Sequence, residues 1–472
     1  SLNEVKLSIF LTSACLICLL PLSYLFSAPI VNPINKLMEQ NTKIKRRQYD
    51  EVTIERSNIK ELDQLGASLA EMSASIKQHE KQQATLLESF VELIAQAIDD
   101  KSPYTAGHCK RVPDIGIRLA EAASNTPHGI FKDFTLNTTE QKREFKMAAW
   151  LHDCGKITTP EHIVDKATKL ETIYNRIHEI RMRFEVLYRD AIIEYHQSVQ
   201  LHPDSQAFYK SELERKYKHL QDDFAFIAEC NQGGEFLSDA AITRLENLAV
   251  ITWERHFDDS LGLSQLELAH KHAERQPLPC VEMLLNDKKE HLQTRVASPD
   301  YDEKYGIKMD IPELLSNKGE LYNLRVSRGT LTQEDRFRIN EHMISTIKML
   351  DSLPFPDDLA NVPRWASTHH ETLIGTGYPR KLVKEDLSIA ERILVVADIF
   401  EALTAVDRPY KKGKSLSQSL KIMRFMCDDK HIDADIFRLF LHSGIYLEYA
   451  KAFLNPEQID EIDINDYLPD QA

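Results

Sequence analysis

Met147-Ala148-Ala149-Trp150-Leu151-His152-Asp153-Cys154-Gly155-Lys156 is the stretch of this 472-residue chain that decides its reading. An apolar run delivers an imidazole, a carboxylate and, three residues after the Asp, an ammonium group. An unpaired carboxylate buried beside Trp150 and Leu151 is very costly, so a partner of opposite charge is expected. Asp398 poses the same demand inside Ile393-Leu394-Val395-Val396-Ala397-Asp398-Ile399-Phe400. One buried acid fits an ion pair. Two of them, together with His108 and His369-His370-Glu371, point to a closely spaced pair of metal ions, the kind of centre that hydrolyses phosphate esters. Cys109 and Cys154 lie nearby, but neither belongs to a CxxC pair, so thiolate ligation is not expected. Nitrogen and oxygen donors without thiolates suit iron or manganese.

The order His108, His152-Asp153, Asp398 resembles the HD phosphohydrolase superfamily. His369-His370-Glu371 followed by Gly375-Thr376-Gly377-Tyr378-Pro379 is similar to its HD-GYP branch, as are Leu387 to Ile393, Ala402-Leu403-Thr404 and Arg408-Pro409-Tyr410-Lys411. The resemblance covers roughly residues 104 to 170 and 320 to 450. It implies an all-α, metal-dependent phosphodiesterase for the bacterial second messenger cyclic di-GMP, yielding pGpG or GMP by a hydroxide activated between two metals. By the same resemblance His108, His152, Asp153 and Asp398 hold one metal, and Asp153 bridges to a second held by His342, His369 and His370. Asp153 and Lys156 are then the catalytic pair, with Lys156 stabilising charge on the phosphate. Tyr378, Arg408, Lys411 and Arg111 are the further substrate contacts, and the Gly-Tyr-Pro turn also meets signalling partners. His342 rests on the resemblance alone, since Arg338-Ile339-Asn340-Glu341-His342 also reads as an ordinary helix surface. Two positions depart from the family pattern. Ile374 stands where an Asp usually precedes the first Gly, and Tyr104 replaces the Glu of three-metal members, so two metals are expected.

No side chain from Leu7 to Ile30 carries a formal charge, and these residues are long and apolar enough to cross a bilayer. A cleaved signal peptide is the alternative, disfavoured by the length of the stretch and by basic residues that follow it. Pro21 is expected to kink the span. Lys36, Lys43, Lys45, Arg46 and Arg47 follow it against Lys6 before it, which places the remainder in the cytoplasm, beneath the inner membrane. The opening Ser1 is read as the start of a fragment that lacks an upstream sensing part. Ile34, Leu37 and Ile44, a polar connector, then Ile59, Leu62, Leu65, Leu69, Met72 and Ile76 form a seam that wants a partner helix. Two short helices directly after a span resemble a HAMP relay in a homodimer, against the plainer reading of a membrane-proximal coiled coil.

A stretch of about 190 residues separates His152 from His342. Ile173, Ile177, Ile180, Phe184 and Leu187 form one stripe, and Leu213, Tyr217, Leu220, Phe224 and Ile227 another, predicting an antiparallel helix pair with Pro203 near its turn. Ile242, Leu245, Leu248 and Ile251 form a third stripe, and Gln276 to Pro312 reads as irregular chain. The histidines there, His178, His196, His256, His270 and His272, lack acids at ligand spacing. The expected organisation is a transmembrane helix at 7–30, a HAMP-like relay at 31–80, a connecting helix at 81–103, catalytic parts at 104–170 and 320–472, and a helical insertion at 171–319. A net charge of −15 argues against a nucleic-acid polymer as partner. Seven scattered cysteines suit a reducing compartment. Beside the cyclic di-GMP reading stand an HD hydrolase for another nucleotide and a catalytically silent cyclic-dinucleotide receptor.

Overall fold

The computed structural model describes residues 2–53, 56–101, 107–234, 236–271, 276–296, 301–405 and 413–469, with the side chains of 23–26 and 28 excepted. The chain divides into two units, Ser1–Phe90 and Val91–Ala472. In the first, α1 runs unbroken over Leu2–Lys45, through Pro21, Pro29 and Pro33. Its window Leu2–Leu22 has a mean hydropathy of 2.1 and is long and apolar enough to cross a membrane. That window begins before the expected span at residue 7. A connector with a 3₁₀ turn at Tyr49–Glu51 leads to α2, Lys60–Lys101, which continues past residue 81 without a break. Leu65 and Met72 of its apolar seam remain 56% and 47% exposed, so this single chain leaves the seam half open.

The second unit is mainly helical, as the sequence predicts. Its helices are α3 His108–Ser124, α4 Thr139–Leu151, α5 Glu161–Val164, α6 Ile177–Leu201, α7 Gln206–Gln232 and α8 Asp239–Ala249. They continue with α9 Gln265–His270, α10 Glu320–Leu324, α11 Gln333–Asp351, α12 Val362–Ala366, α13 Ile389–Thr404, α14 Leu416–Asp428, α15 Ala434–Ser443 and α16 Ile445–Phe453. Capping boxes set several starts: Thr138 with Gln141 on α4, Thr332 with Asp335 on α11, and Ser388 with Glu391 on α13. Each closes two otherwise unmet backbone donors. The catalytic core joins Val112, Ile115 and Leu119 of α3, Phe145 of α4 and the Ile393–Phe400 run of α13 to Leu420, Phe437, Phe440 and Tyr449.

A separate apolar cluster lies in the segment between the two motif-bearing stretches. Ile177, Ile180 and Phe184 of α6 pack with Ile227 of α7 and Leu245 and Leu248 of α8. The α6–α7 pair turns at a 3₁₀ segment that begins with Pro203, and Tyr188 stacks on Tyr217 at 3.7 Å. Ile173 departs from its expected stripe: it precedes the helix and is 88% exposed. Fully buried Glu320 anchors this bundle by accepting Arg176 Nη2 at 2.9 Å and Arg183 Nη1 at 2.7 Å. The stretch from Gln276 to Pro312 is more ordered than its composition suggests. It contributes β2, Cys280–Met283, paired antiparallel with β1, Thr252–Arg255, and β3, Leu292–Thr294, paired with β4, Leu314–Asn317. Strands of three or four residues are too short for alternation to register.

Gly155 fixes how the His152-Asp153 turn meets α11. A Cβ there would lie 1.9 Å from the His342 carbonyl oxygen and 2.7 Å from the Thr346 amide nitrogen. The 3₁₀ segment Cys154–Thr158 therefore rests directly on the helix backbone. Gly155→Ala is expected to lower stability by about 1–3 kcal/mol, as overpacking does, and to reduce metal content. Thermal unfolding and elemental analysis of the variant check both.

Candidate metal centre

Five pieces of chain deliver the donors. His108 opens α3, His152 and Asp153 follow the last turn of α4, His342 lies on α11, His369 and His370 sit in the turn after α12, and Asp398 lies on α13. His108 Nε2 stands 3.2 Å from His152 Nε2, 3.4 Å from Asp153 Oδ2 and 3.3 Å from Asp398 Oδ1. The other carboxylate oxygen, Asp153 Oδ1, lies 3.5 Å from His342 Nε2 and 3.7 Å from His369 Nε2. Asp153 thus turns one oxygen toward each set of donors. Three triads have ligand atoms within 4.8 Å of one another: His108, His152 and Asp398; His152, Asp153 and His369; and His342, His369 and His370. Among the described residues, groups able to hold a metal ion are confined to these positions. The histidines of the insertion that are described form none, and His272 lies outside the described residues.

The orphaned atoms test whether a metal pair fits. Asp153 Oδ1, His342 Nε2 and His369 Nε2 are all buried without a hydrogen-bond partner, and they face one another. Buried polar atoms left unmet cost free energy, and so are rare unless something else binds them. A cation shared by these atoms satisfies all three. The opposite ring nitrogens are committed elsewhere. His152 Nδ1 bonds the Ala149 carbonyl at 2.7 Å, His342 Nδ1 that of Ile339 at 2.5 Å, and His369 Nδ1 that of Ala366 at 3.3 Å. Each bond places a proton on Nδ1, which leaves Nε2 of His342 and His369 as lone-pair donors toward the centre, while Nε2 of His152 faces the carboxylates of Asp153 and Asp398.

His108 is oriented differently, and sequence reasoning missed the group that does it. Glu401, 1% exposed, meets His108 Nδ1 at 2.5 Å and accepts Arg111 Nε at 2.6 Å. Arg111, expected at the substrate, therefore has this nitrogen committed to positioning His108. Glu401 lies three residues after Asp398, on the same face of α13, and an acid at that spacing in an apolar helix was a legible signal. Asp99 and Thr346 were also missed. Asp99 accepts the Gly107 amide at 3.0 Å at the entry to α3, and Thr346 Oγ1 accepts the Gly155 amide at 3.0 Å.

Electrostatics divides the histidines in two. Burial alone would lower His108 and His152, but the carboxylates outweigh it. Glu401, Asp153 and Asp398 hold His108 well above the usual range, and Asp153 with Asp398 pushes His152 up to about 9. Burial dominates on the other side, pushing His342 down to about 4, His370 to about 3 and His369 well below its ordinary value. Burial would raise Asp153, yet Lys156 and His152 hold it ionised. Lys156 Nζ donates to Asp153 Oδ2 at 2.6 Å and remains 27% exposed, so it borders both the centre and solvent. Burial lifts both nearby thiols, Cys154 to about 12.

The Gly-Tyr-Pro turn closes over the His pair. Tyr378 stacks on His370 at 4.7 Å between centroids. A Cβ on Gly377 would fall 2.5 Å from Glu371 Cα and 2.6 Å from the His370 oxygen, so only glycine permits this approach. Glu371 serves the turn as an acceptor for the Arg380 and Leu382 amides at 2.7 and 2.9 Å. Ile374 is 54% exposed and pairs with Val383. Arg408, Lys411 and Tyr104 lie outside the described residues.

Residues 279–436 match the HD domain family. That match includes His342, His369, His370 and Asp398, while His108, His152 and Asp153 precede it. A cyclic di-GMP phosphodiesterase of Pseudomonas aeruginosa is 33% identical over 140 residues, 29% of this chain and 30% of the relative. A 3'3'-cGAMP-specific phosphodiesterase of Vibrio cholerae is 38% identical over 83 residues, 18% of this chain and 19% of the relative. A cyclic di-GMP phosphodiesterase of Thermotoga maritima is 34% identical over 93 residues, 20% and 25% respectively. The chain thus spans less than a third of the length of each of these relatives.

Two outcomes follow from the donor chemistry. His108 and His152 carry protons near neutral pH while no metal is bound, whereas His342, His369 and His370 are already neutral. Metal binding must displace the former protons, so calorimetry in buffers of different ionisation enthalpy should show proton release at pH 7. Release should shrink, and affinity rise, as pH approaches about 9. Glu401→Gln removes the anion that orients His108. It should weaken metal binding by about 10- to 100-fold, read by chelator competition.

Proposed function

From the premise that the chain carries an HD domain of the metal-dependent phosphohydrolases, we propose that it is a membrane-anchored phosphodiesterase hydrolysing cyclic di-GMP to pGpG or GMP. The observation that carries this reading is the convergence of Asp153 Oδ1, His342 Nε2 and His369 Nε2, buried and unpartnered, beside the His108, His152 and Asp398 triad. Two adjoining donor sets sharing one carboxylate suit two divalent ions, and the nitrogen and oxygen donors favour iron or manganese. His108, His152, Asp153 and Asp398 would hold one ion, and His342, His369 and His370 the other, with Asp153 common to both. When bound, such ions supply Lewis-acid polarisation of a phosphoryl oxygen and activation of water.

The remaining roles belong to the chain. Lys156 presents its ammonium at the rim of the centre, where it meets charge developing on a nonbridging phosphate oxygen. Tyr378 offers an aromatic edge to the substrate from above His370. Arg408 and Lys411 are the cations for the second phosphate, and the Gly-Tyr-Pro turn is also the meeting surface for signalling partners. The half-open Leu65 and Met72 seam favours a homodimer through the HAMP-like segment, through which a membrane signal regulates turnover. The apolar window of α1 supports anchoring in the inner membrane, and the basic residues after it favour a cytoplasmic catalytic part.

Full-length chain in detergent, purified anaerobically, should contain close to two metals and turn over cyclic di-GMP, with activity lost in His152→Ala/Asp153→Ala. Metal loading without turnover of cyclic di-GMP would overturn the substrate. Lys156→Gln should retain metal and lose roughly 10²-fold in kcat. Removing residues 1–80 should abolish dimerisation and change the rate. If sedimentation and turnover were both unaltered, the regulatory reading would fall.

A further inference from the structure

A cleft of about 860 Å³ lies against the Gly-Tyr-Pro turn. Ligand pockets commonly span about 300–1,000 Å³, so it can take a nucleotide-sized group. One wall is the start of α11, with Gln333, Arg336 and Asn340 above buried Phe337. Gly377 and Tyr378 face them. The same Tyr378 ring lies on His370, so the cleft begins where the second donor set ends.

The back of the cleft is not built by the catalytic motifs. Met309, Asp310 and Pro312 supply it, from the chain returning out of the long insertion. That return is fastened to the Gly-Tyr-Pro turn at three points. The Lys308 amide donates to the Pro379 oxygen at 2.8 Å, Arg380 Nε donates to the Tyr305 oxygen at 3.0 Å, and Lys381 pairs with Asp310 at 3.3 Å. Residues 305–310 therefore hold one wall of the cleft in place.

Two of the cleft's polar side chains are left to solvent, Gln333 exposed and Asn340 half-buried. The side-chain amides of Gln333 and Asn340 have no hydrogen-bond partner among the described residues. Arg336 gives one Nη2 bond, to the Arg328 oxygen at 2.9 Å, and stays exposed. An aromatic face, a guanidinium fork and two amides match the needs of a purine: stacking, then acceptors and donors along its edge. Guanine offers O6 and N7 as adjacent acceptors for an arginine fork, whereas adenine replaces O6 with an amino donor.

We propose that this cleft receives the distal purine of a cyclic dinucleotide whose scissile phosphate lies at the metal centre, and that Arg336, with Gln333 and Asn340, selects the base. The insertion thereby acts in substrate discrimination, by fastening the wall opposite these residues. This inference rests on the phosphodiesterase reading above, and it adds which residues set guanine against adenine.

The test compares wild type, Arg336→Gln and Asn340→Ala as metal-loaded full chains in detergent, measuring KM, kcat and direct binding for cyclic di-GMP and for cyclic di-AMP, which carries adenine at both positions. Arg336→Gln should raise KM for cyclic di-GMP about tenfold relative to cyclic di-AMP, with metal content unchanged and kcat altered by less than about twofold for a contact remote from the reacting bond. Asn340→Ala should weaken binding of both ligands. Wild-type turnover with unchanged KM ratios and affinities in both variants would overturn the cleft assignment alone. A wild type that neither binds nor cleaves either dinucleotide would overturn the phosphodiesterase reading, and this inference with it.

Discussion

Everything in the catalytic unit is arranged around one buried carboxylate. Asp153 is 2% exposed, and water contributes almost nothing to its solvation. Lys156 and the neighbouring imidazoles replace that solvation. A lone ammonium would make an ordinary ion pair of the kind that hydrophobic residues can replace without loss. Here only Oδ2 meets the lysine, and Oδ1 is turned toward two imidazole nitrogens that have nothing to donate. Lone pairs facing lone pairs are repulsive, and the surrounding helices hold them together nonetheless. The strain of that arrangement is what a cation relieves.

The scaffold shows how such an arrangement is enforced. Imidazoles are pinned through their outward nitrogens to carbonyls of their own preceding turns, so each ring direction is set locally by helix geometry. His108 begins a helix and has no preceding turn to hold it; Glu401, 293 residues away and itself held by Arg111, does the same task. Gly155 and Gly377 then let backbone lie on backbone at the two places where a side chain would force the donor-bearing segments apart.

Legibility in the sequence followed the same division. His152-Asp153 and Asp398 stood out because charge in an apolar run is chemically conspicuous. The α6–α7 pair could be read because two long stripes of spaced apolar residues specify helices with one buried face. His342 could not be separated from an ordinary helical histidine, since its neighbours Arg338 and Glu341 are polar and its burial arises from packing against the Gly155 turn. Glu401 stood out as an acid one turn beyond Asp398 in an apolar helix, but its partner, His108, is visible only when α13 and α3 are brought together. The short strands β1 to β4 escaped for want of length. The fastening of residues 305–310 to the Gly-Tyr-Pro turn uses backbone acceptors for two of its three bonds, Pro379 and Tyr305, and a carbonyl acceptor leaves no mark on side-chain identity.

The contact between Gly155 and Thr346 joins positions 191 residues apart. During synthesis at about 5–20 residues per second, the turn bearing His152 and Asp153 leaves the ribosome on the order of ten seconds or more before α11 can cover it. Through that interval the nascent chain carries His152 and Asp153 without the helix that buries their turn. The intervening bundle has its own apolar cluster and can consolidate meanwhile, as domains generally do in order of emergence. The bundle then shortens the distance over which α11 must find its seat. The centre therefore cannot close until α11 and α13 have both been made.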